Sequence, residues 1–190
     1  MRYIGLIPAR YASTRFPGKP LALLGGKPVI QRVYEQVCKA LDVVYVCTDD
    51  ERISQVVEGF GGKVVMTSTE HRSGTDRCYE AFTKIGEDYD VVINIQGDEP
   101  FIQPDQIQAL MDCFPTEIAT LVHPFTEKDT WSDLATPNYV TVAIAREQTD
   151  NNPTTMGRAL YFSRSVIPYL RGIEQEEWLK QGQHFRHIGM

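Results

Sequence analysis

The sequence predicts an α/β fold, with a mostly parallel sheet and helices on both of its faces. Short, nearly all-apolar segments alternate with segments whose apolar residues recur at helical spacing, which is typical of buried parallel strands joined by helices. The 190 residues, 42% of them hydrophobic, suffice for one compact domain. The longest apolar runs fall far short of the roughly 20 residues that cross a membrane, so we expect no membrane association.

The alternation is most regular up to about residue 115. Tyr3 to Pro8 predict a buried strand, and residues 9–27, rich in Gly, Pro, Ser and Arg, predict a long loop. Pro28 suits the first position of a helix that ends near Leu41. The other elements predicted here are strands at 43–48, 63–66 and 90–95, and helices that begin at Asp49 or Asp50, near Thr75 and after Pro104.

Beyond residue 115 the pattern is less regular. Predicted strands cover residues 118–123, 139–145 and 159–163, a short helix lies near residues 175–181, and a last apolar segment ends at Met190. We therefore expect a single domain over residues 1–190, whose second part is less well specified than its first.

Charge is unevenly distributed along the chain. Residues 1–34 contain six basic groups and no Asp or Glu, whereas the rest contains 13 basic and 25 acidic groups, which gives +6 followed by −12. A net charge of −6 argues against a general nucleic-acid binder. The segregation instead predicts a local anion pocket near the N-terminus.

The cysteines and the N-terminus indicate the cellular compartment. The four cysteines are widely spaced, with no Cys-x-x-Cys pair and no His at ligand spacing, so neither a zinc site nor a disulfide framework is predicted. The apolar stretch before Pro8 is too short for a signal-peptide core. We expect a cytoplasmic protein with reduced thiols.

A cationic loop follows the first predicted strand, at the sheet edge where open parallel sheets bind ligands. It carries Arg10, Arg15 and Lys19, is stiffened by prolines, and contains Gly18, which permits close approach of the backbone. Because no acidic residue lies in this stretch, the loop predicts a polyphosphate site; the alternative is a solvated basic loop. Neither Lys19 nor Lys27 is followed by the Ser or Thr of a Walker loop.

A second candidate segment, QGDEP (96–100), follows the most apolar strand. The carboxylate of Asp98 is suited to Mg²⁺, which prefers oxygen ligands and completes its shell with water and substrate phosphates. The alternative is that Asp98 forms a turn before Pro100. A cationic loop beside a metal-binding carboxylate predicts a centre for phosphoryl or nucleotidyl transfer.

Five segments together resemble one enzyme family. They are GLIPARYASTRFPGKPL (5–21), HRSGTDR (71–77), NIQGDEP (94–100), ALYFSRS (159–165) and RHIG (186–189). In this order and spacing they are similar to the 3-deoxy-manno-octulosonate cytidylyltransferases, the CMP-KDO synthetases. The resemblance implies a Rossmann-like fold of the nucleotide-diphospho-sugar transferase type. It also implies Mg²⁺-dependent transfer of CMP from CTP to the sugar acid KDO, with release of pyrophosphate, as a step toward lipopolysaccharide.

The resemblance also implies roles for individual residues. Arg10, Lys19 and Asp98 are the expected catalytic residues, with Asp98 as the Mg²⁺ ligand. The expected substrate-binding residues are Arg10, Ser13, Arg15, Lys19, Ser73, Arg77, Gln96, Arg164 and His187. A glycine-bearing turn and helix cap explains Ser73 and Asp76 equally well. Arg164 and His187 are candidates for the KDO carboxylate, against the alternatives of a surface salt bridge and a half-buried imidazole.

Two features depart from the family pattern. Family members usually have a lysine in the strand after Pro137-Asn138, where this chain has Thr141. Family chains also normally continue past the RHIG segment, with a second metal-binding aspartate and much of a dimer interface. We therefore expect a C-terminally truncated nucleotidyltransferase domain over residues 1–190.

The expected parts of this domain are a nucleotide-binding part at about 1–115 and an incomplete sugar-binding and dimerisation part at about 116–190. The expected partners are CTP and KDO as substrates and, for a full-length chain, a second copy in a homodimer. Two alternatives stay open: a related acid such as 8-amino-KDO or a sialic acid as substrate, and a non-catalytic nucleotide-binding module.

Overall fold

The chain forms two compact units, Met1–Asp112 and Cys113–Gly189. The computed structural model describes residues 1–12, 16–145, 157–181 and 184–189. Within these ranges no helix has the length and apolar character needed to cross a membrane.

The first unit alternates strands and helices, as the sequence predicts. Its elements are β1 (Tyr3–Ala9), β2 (Leu23–Leu24), β3 (Lys27–Pro28), α1 (Val29–Val37), β4 (Val44–Thr48), α2 (Glu51–Gly59), β5 (Val64–Met66), α3 (Gly74–Ile85), β6 (Val91–Asn94) and α4 (Pro104–Met111). Four of the strands form an all-parallel sheet in the order β5-β4-β1-β6. The predicted α/β fold with a mostly parallel sheet is confirmed in this unit.

Consecutive residues of β1 show that helices cover both faces of this sheet. Ile4 and Leu6 pack with Cys78 and Ala81 of α3 in one buried cluster. Gly5 points to the other face, where a Cβ atom would lie 3.3 Å from Val37 of α1. Because side chains alternate along a strand, α3 and α1 lie on opposite faces.

The starts of α2 and α3 are set by capping side chains. Asp50 accepts a hydrogen bond from the Arg52 backbone N–H and caps α2, and Ser73 caps α3 in the same way.

The first helix differs from its prediction at both ends. Pro28 takes the extended N-cap position rather than the first helical one, and α1 ends at Val37, although Leu41 beyond it is buried.

Residues 9–27, predicted as a loop, contain some regular structure. A 3-10 helix covers Lys19–Leu21, and β2 pairs with β3 in a short antiparallel hairpin. Gly25 and Gly26, with φ of 57° and 79°, form its turn. A Gly-Gly pair is typical of such two-residue turns, so the sequence did carry a signal for this hairpin.

The second unit is built around an antiparallel sheet, which the sequence pattern did not reveal. Its elements are β7 (Leu121–Pro124), α5 (Trp131–Ala135), β8 (Thr141–Ala145), β9 (Arg158–Ser163), a 3-10 helix (Gln175–Gln181) and β10 (Phe185–Ile188). The strand order is β7-β10-β8-β9, with antiparallel pairing throughout. A separate core contains Phe125, Leu134, Trp178 and Leu179.

Candidate functional site

The ends of β1 and β6 bring two of the predicted catalytic residues together in the first unit. The strands are paired in parallel, and the Ile95 N–H donates to the Leu6 carbonyl at 2.9 Å. Beyond them, the Lys19 ammonium lies 2.7 Å from the Asp98 carboxylate. Gly97 permits this approach, since a Cβ atom there would lie 2.8 Å from the Pro8 carbonyl oxygen.

The Lys19–Asp98 ion pair is open to solvent. The two side chains are 40% and 51% exposed. An ion pair this exposed contributes little to stability because water screens it. Each of the two groups can therefore give up the other as its partner and bind a ligand instead.

The segment after β6 also has excess negative charge. Partial desolvation raises the pKa of the Glu99 carboxyl group, and the neighbouring charge of Asp98 raises it further, while Lys19 opposes the shift. Two successive carboxylates of this kind suit a hard cation. Among the described residues there is no cluster of three or more acidic, His or Cys side chains. This donor set fits Mg²⁺, which typically takes one or two carboxylates and fills its shell with water and phosphate oxygens.

A polar cleft lies at the same edge of the sheet. It has a volume of about 160 Å³ and is lined by Pro8, Ala9, Arg10, His71, Arg72, Ser73, Gly74, Arg77 and Gln96. Of the residues predicted to bind substrate, the structure thus brings Arg10, Ser73, Arg77 and Gln96 together. A cleft of this size accepts part of a nucleotide rather than the whole.

Arg77 has a structural role in the cleft wall. Its side chain is almost fully buried, and its guanidinium donates to Asp49 at 2.8 Å and to Thr67 at 2.6 Å. These contacts tie α3 to the ends of β4 and β5. Since the charge of Arg77 is already balanced by Asp49, substrate binding by this residue stays a prediction.

The cap interpretation of Ser73 is confirmed by its contacts. The Ser73 hydroxyl accepts a hydrogen bond from the Asp76 N–H at 3.1 Å and donates to the Asp76 carboxylate at 2.7 Å. The first turn of α3 lies beside Pro8, since a Cβ atom at Gly74 would be 3.1 Å from the Pro8 ring carbon Cγ. A contact of Ser73 with substrate stays a prediction.

Sequence reasoning missed two side chains of this cleft, His71 and Arg72. His71 contacts Glu80 of α3, which also accepts hydrogen bonds from Lys84 and from the Ser68 N–H. The hydrogen bond from Lys84, followed by those from Ser68 and His71, lowers the pKa of Glu80 to about 2. His71 lies in the HRSGTDR segment, but nothing in its spacing indicated a partner nine residues away.

Arg164 and His187 lie in the second unit. Arg164 is exposed and donates to the Pro137 carbonyl at 2.6 Å, so the predicted alternative of a salt bridge is replaced by a backbone contact. His187 is half-buried, 2.7 Å from the Thr120 hydroxyl and edge-on to the Phe162 ring. Burial lowers the pKa of His187 below its ordinary value of 6.5, so the imidazole is neutral at neutral pH. Substrate binding by Arg164 and His187 stays a prediction, with Arg164 as the better cation.

Three other sequence expectations concern single positions. Ser13 and Arg15 lie outside the described residues. Thr141 is buried, and its hydroxyl lies within hydrogen-bonding distance of the carbonyl oxygens of Ser163, at 3.1 Å, and Ser165, at 2.8 Å. The side chain at this position therefore joins β8 to the end of β9.

Known proteins match the chain along almost its whole length. The cytidylyltransferase family model matches residues 4–188. A protein of Phocaeicola vulgatus named 3-deoxy-manno-octulosonate cytidylyltransferase is 58% identical over 100% of this chain and 73% of its own length. A protein of the same name from Parabacteroides distasonis is 59% identical over 100% of this chain and 74% of its own.

A solved structure also matches. The structure of CMP:2-keto-3-deoxy-manno-octonic acid synthetase complexed with CTP has a TM-score of 0.80 and 39% identity, and the match covers 100% of this chain and 72% of that one. These similarities confirm the resemblance inferred from the five sequence segments.

Proposed function

The chain belongs to the cytidylyltransferase family, and from that premise we propose that it transfers CMP from CTP to KDO and releases pyrophosphate. Relatives that carry this activity in their names support the choice of nucleotide and sugar acid. The observation within this chain that carries the proposal is the meeting of Lys19 and Asp98 at a sheet edge beside a cleft lined by Arg10.

The residues at this edge suit in-line attack of a sugar hydroxyl on the α-phosphorus of CTP. Arg10 is exposed at the end of β1, and among the described residues the Lys19 ammonium is held only by an exposed ion pair. Both cations are free to contact triphosphate oxygens and to neutralise charge that develops on the leaving pyrophosphate. No covalent enzyme intermediate is required, because the sugar hydroxyl is itself the nucleophile.

We assign Mg²⁺ to Asp98, with Glu99 beside it. Glu99 supports this assignment: burial raises the pKa of its carboxyl group, the neighbouring charge of Asp98 raises it further, and a divalent cation would relieve this second effect. When bound, the ion would withdraw charge from the triphosphate oxygens and orient them. Gln96 and Ser73, which line the cleft, would supply uncharged hydrogen-bonding groups to the nucleotide.

The sugar acid carries a carboxylate that needs a cation other than the triphosphate-binding ones. Arg164 suits it because its guanidinium stays charged and presents a planar set of donors. His187, neutral through burial, suits a hydroxyl or carboxylate oxygen as a hydrogen-bonding partner rather than as a counter-charge.

The wider setting follows from family membership alone. We propose that the product is used in lipopolysaccharide synthesis, that the enzyme acts in the cytoplasm, and that a full-length chain works as a homodimer. Light scattering of the full-length protein tests the dimer directly, since a monomeric mass would contradict it.

The substrate proposal is tested by measuring pyrophosphate release from CTP with KDO, 8-amino-KDO and a sialic acid in parallel reactions. We expect release with KDO that depends on both substrates. Turnover of another acid with KDO inert would overturn the choice of sugar. Calorimetric binding of CTP without turnover of any of the three acids would replace the enzyme by a nucleotide-binding module.

A further inference from the structure

A contact between Tyr11 and Gly18 closes the basic segment after β1. The Gly18 N–H donates to the Tyr11 carbonyl at 2.9 Å. The aromatic ring also lies against the glycine, since a Cβ atom at Gly18 would be 3.0 Å from the ring carbon Cε2. Gly18 has φ of 71°, a conformation that favours glycine. Arg10 precedes Tyr11 and Lys19 follows Gly18, so this contact holds the backbone of the two cationic residues close together.

Arg52, at the start of α2, holds the same ring. Its guanidinium carbon lies 3.4 Å from the centre of the Tyr11 ring, which is the distance of a stacked cation–π contact. The guanidinium is itself fixed by two hydrogen bonds to Asp50, of 2.9 Å from Nε and 2.6 Å from Nη2. A bidentate pair of this kind fixes the plane of the guanidinium as well as its position.

Asp50 is anchored in turn by the backbone around it. Its carboxylate accepts the Arg52 N–H at 3.0 Å, and its own N–H donates to the Thr48 hydroxyl at 3.2 Å. The support for Tyr11 thus extends from the end of β4 through the cap of α2. It consists of a rigid helix start rather than of a single free side chain.

Arg52 contributes little else. Its side chain is 59% exposed, and its ion pair with Asp50, which is 16% exposed, spans only two residues of one helix start. A local pair with one exposed partner adds little to folding stability. The contact to Tyr11 distinguishes Arg52 from Arg32 of α1, whose guanidinium donates to the carbonyl oxygens of Leu24 and Gly25.

We propose that Arg52 and Tyr11 are positioning residues for CTP: they hold the ends of the basic segment so that Arg10 and Lys19 are spaced for the triphosphate. This inference rests on the proposed function. Both residues would act through Arg10 and Lys19 rather than by direct contact with the reacting atoms. Because the two cations are held in place before CTP binds, they lose less conformational freedom on binding.

The first test is the change of CTP affinity in Arg52→Ala, measured by calorimetry, with KM values for both substrates from pyrophosphate release. We expect CTP to bind roughly two- to fivefold more weakly, the size of one exposed cation–π contact. The KM for the sugar acid and the midpoint of thermal unfolding should not change. A general structural defect would move those two quantities, and so would contradict the proposal.

Arg2→Ala is the matched control. Arg2 lies 4.8 Å from the centre of the Tyr89 ring and pairs with Glu87 at 3.5 Å, so the variant removes the same charge and the same type of contact. Arg2 precedes β1, whereas the site follows β1. We expect wild-type CTP affinity, and an effect equal to that of Arg52→Ala would overturn the proposal.

Variants of Tyr11 separate ring contact from charge. Tyr11→Phe keeps the ring and should bind CTP as the unaltered chain does, whereas Tyr11→Leu should weaken binding as much as Arg52→Ala without any change of charge. In the Tyr11→Leu background, Arg52→Ala should add nothing. Full additivity would show that the two residues act separately and would overturn the proposal.

The same experiment distinguishes this inference from the proposed function. If the unaltered chain binds no CTP, both fall. If it binds CTP and Arg52→Ala binds it equally well, the inference falls and the proposed function stands.

Discussion

Arg77 illustrates how one residue can line a candidate site and yet be committed to the fold. Its guanidinium is buried and paired with Asp49, which is itself mostly shielded from solvent. Breaking such a pair leaves an uncompensated charge, which costs more than the pair contributes over an apolar replacement. The sequence alone favoured substrate binding for Arg77, because neither the burial of a helical arginine nor its partner in another segment is visible there.

Replacing Arg77 by methionine should therefore lower the free energy of unfolding by about 3 kcal/mol, measured by urea denaturation. The double variant Arg77→Met with Asp49→Ala removes both charges and should recover part of that loss. If Asp49→Ala lowered the free energy of unfolding further in the Arg77→Met background, the ion pair between Arg77 and Asp49 would not be what stabilises this wall of the cleft.

His184 is a second residue whose environment determines its chemistry. It stacks on Trp178 with ring centres 5.6 Å apart, and its Nε2 lies 2.9 Å from the Pro168 carbonyl, which places the proton on Nε2. Its Nδ1 is buried and has no hydrogen-bond partner in the described parts of the chain. Burial consequently lowers the pKa of His184 from its ordinary value of 6.5.

A lowered histidine pKa makes the protein less stable in acid. The protein has its full stability, as far as His184 determines it, above the unfolded-state pKa of 6.5. This stability is lost as the pH falls through the lower folded-state pKa, because the unfolded chain binds the proton more readily than the folded one. Urea unfolding at a series of pH values below 7 should show falling stability. His184→Phe, which keeps a ring on Trp178, should flatten this slope. A smaller slope should remain because the pKa of His187 is lowered too. An unchanged slope would contradict the assignment.

The apposition of Lys19 and Asp98 could be predicted from sequence because both follow neighbouring strands of one parallel sheet, and the ends of such strands meet at one edge. The contacts of His71 with Glu80 and of Tyr11 with Arg52 could not. They join segments through side-chain packing that leaves no periodic pattern in the chain.

Among the elements, buried parallel strands were the most predictable. In the first unit, β4 is a short apolar run followed closely by the capping residue Asp50, so β4 and the start of α2 lie where the sequence puts them. The second unit gave weaker signals. Most of β9 is exposed, α5 has only 5 residues, and the predicted strand at 118–123 begins only at Leu121. Exposed or very short elements carry little hydrophobic periodicity.

The cap of α3 gives an element-scale prediction. Ser73→Ala removes the hydroxyl that accepts the Asp76 N–H, and should lower the free energy of unfolding by about 1 kcal/mol. Ser73→Asn keeps a capping oxygen and should restore most of it. If CTP affinity falls in Ser73→Asn while stability does not, Ser73 also contacts the nucleotide; equal affinity in all three proteins would limit it to the cap.

For the whole molecule, the uneven charge explains how an acidic protein can bind an acidic nucleotide. The first 34 residues carry +6 within a chain of net charge −6. Because like charges elsewhere keep anions away, a triphosphate is attracted only where Arg10 and Lys19 are concentrated. The negative end of β6 then lies beside this cationic segment, where a divalent cation would join the two.

The most direct test of this arrangement is calorimetric titration of CTP with and without Mg²⁺, for the unaltered chain and for Asp98→Asn. Asp90→Asn, which alters a carboxylate bound to the Arg2 N–H just before β6, is the matched control. We predict that Mg²⁺ tightens CTP binding in the unaltered chain and in the control but not in Asp98→Asn, whose turnover should fall at least ~100-fold. An Asp98→Asn variant that responds to Mg²⁺ as the unaltered chain does would contradict the account.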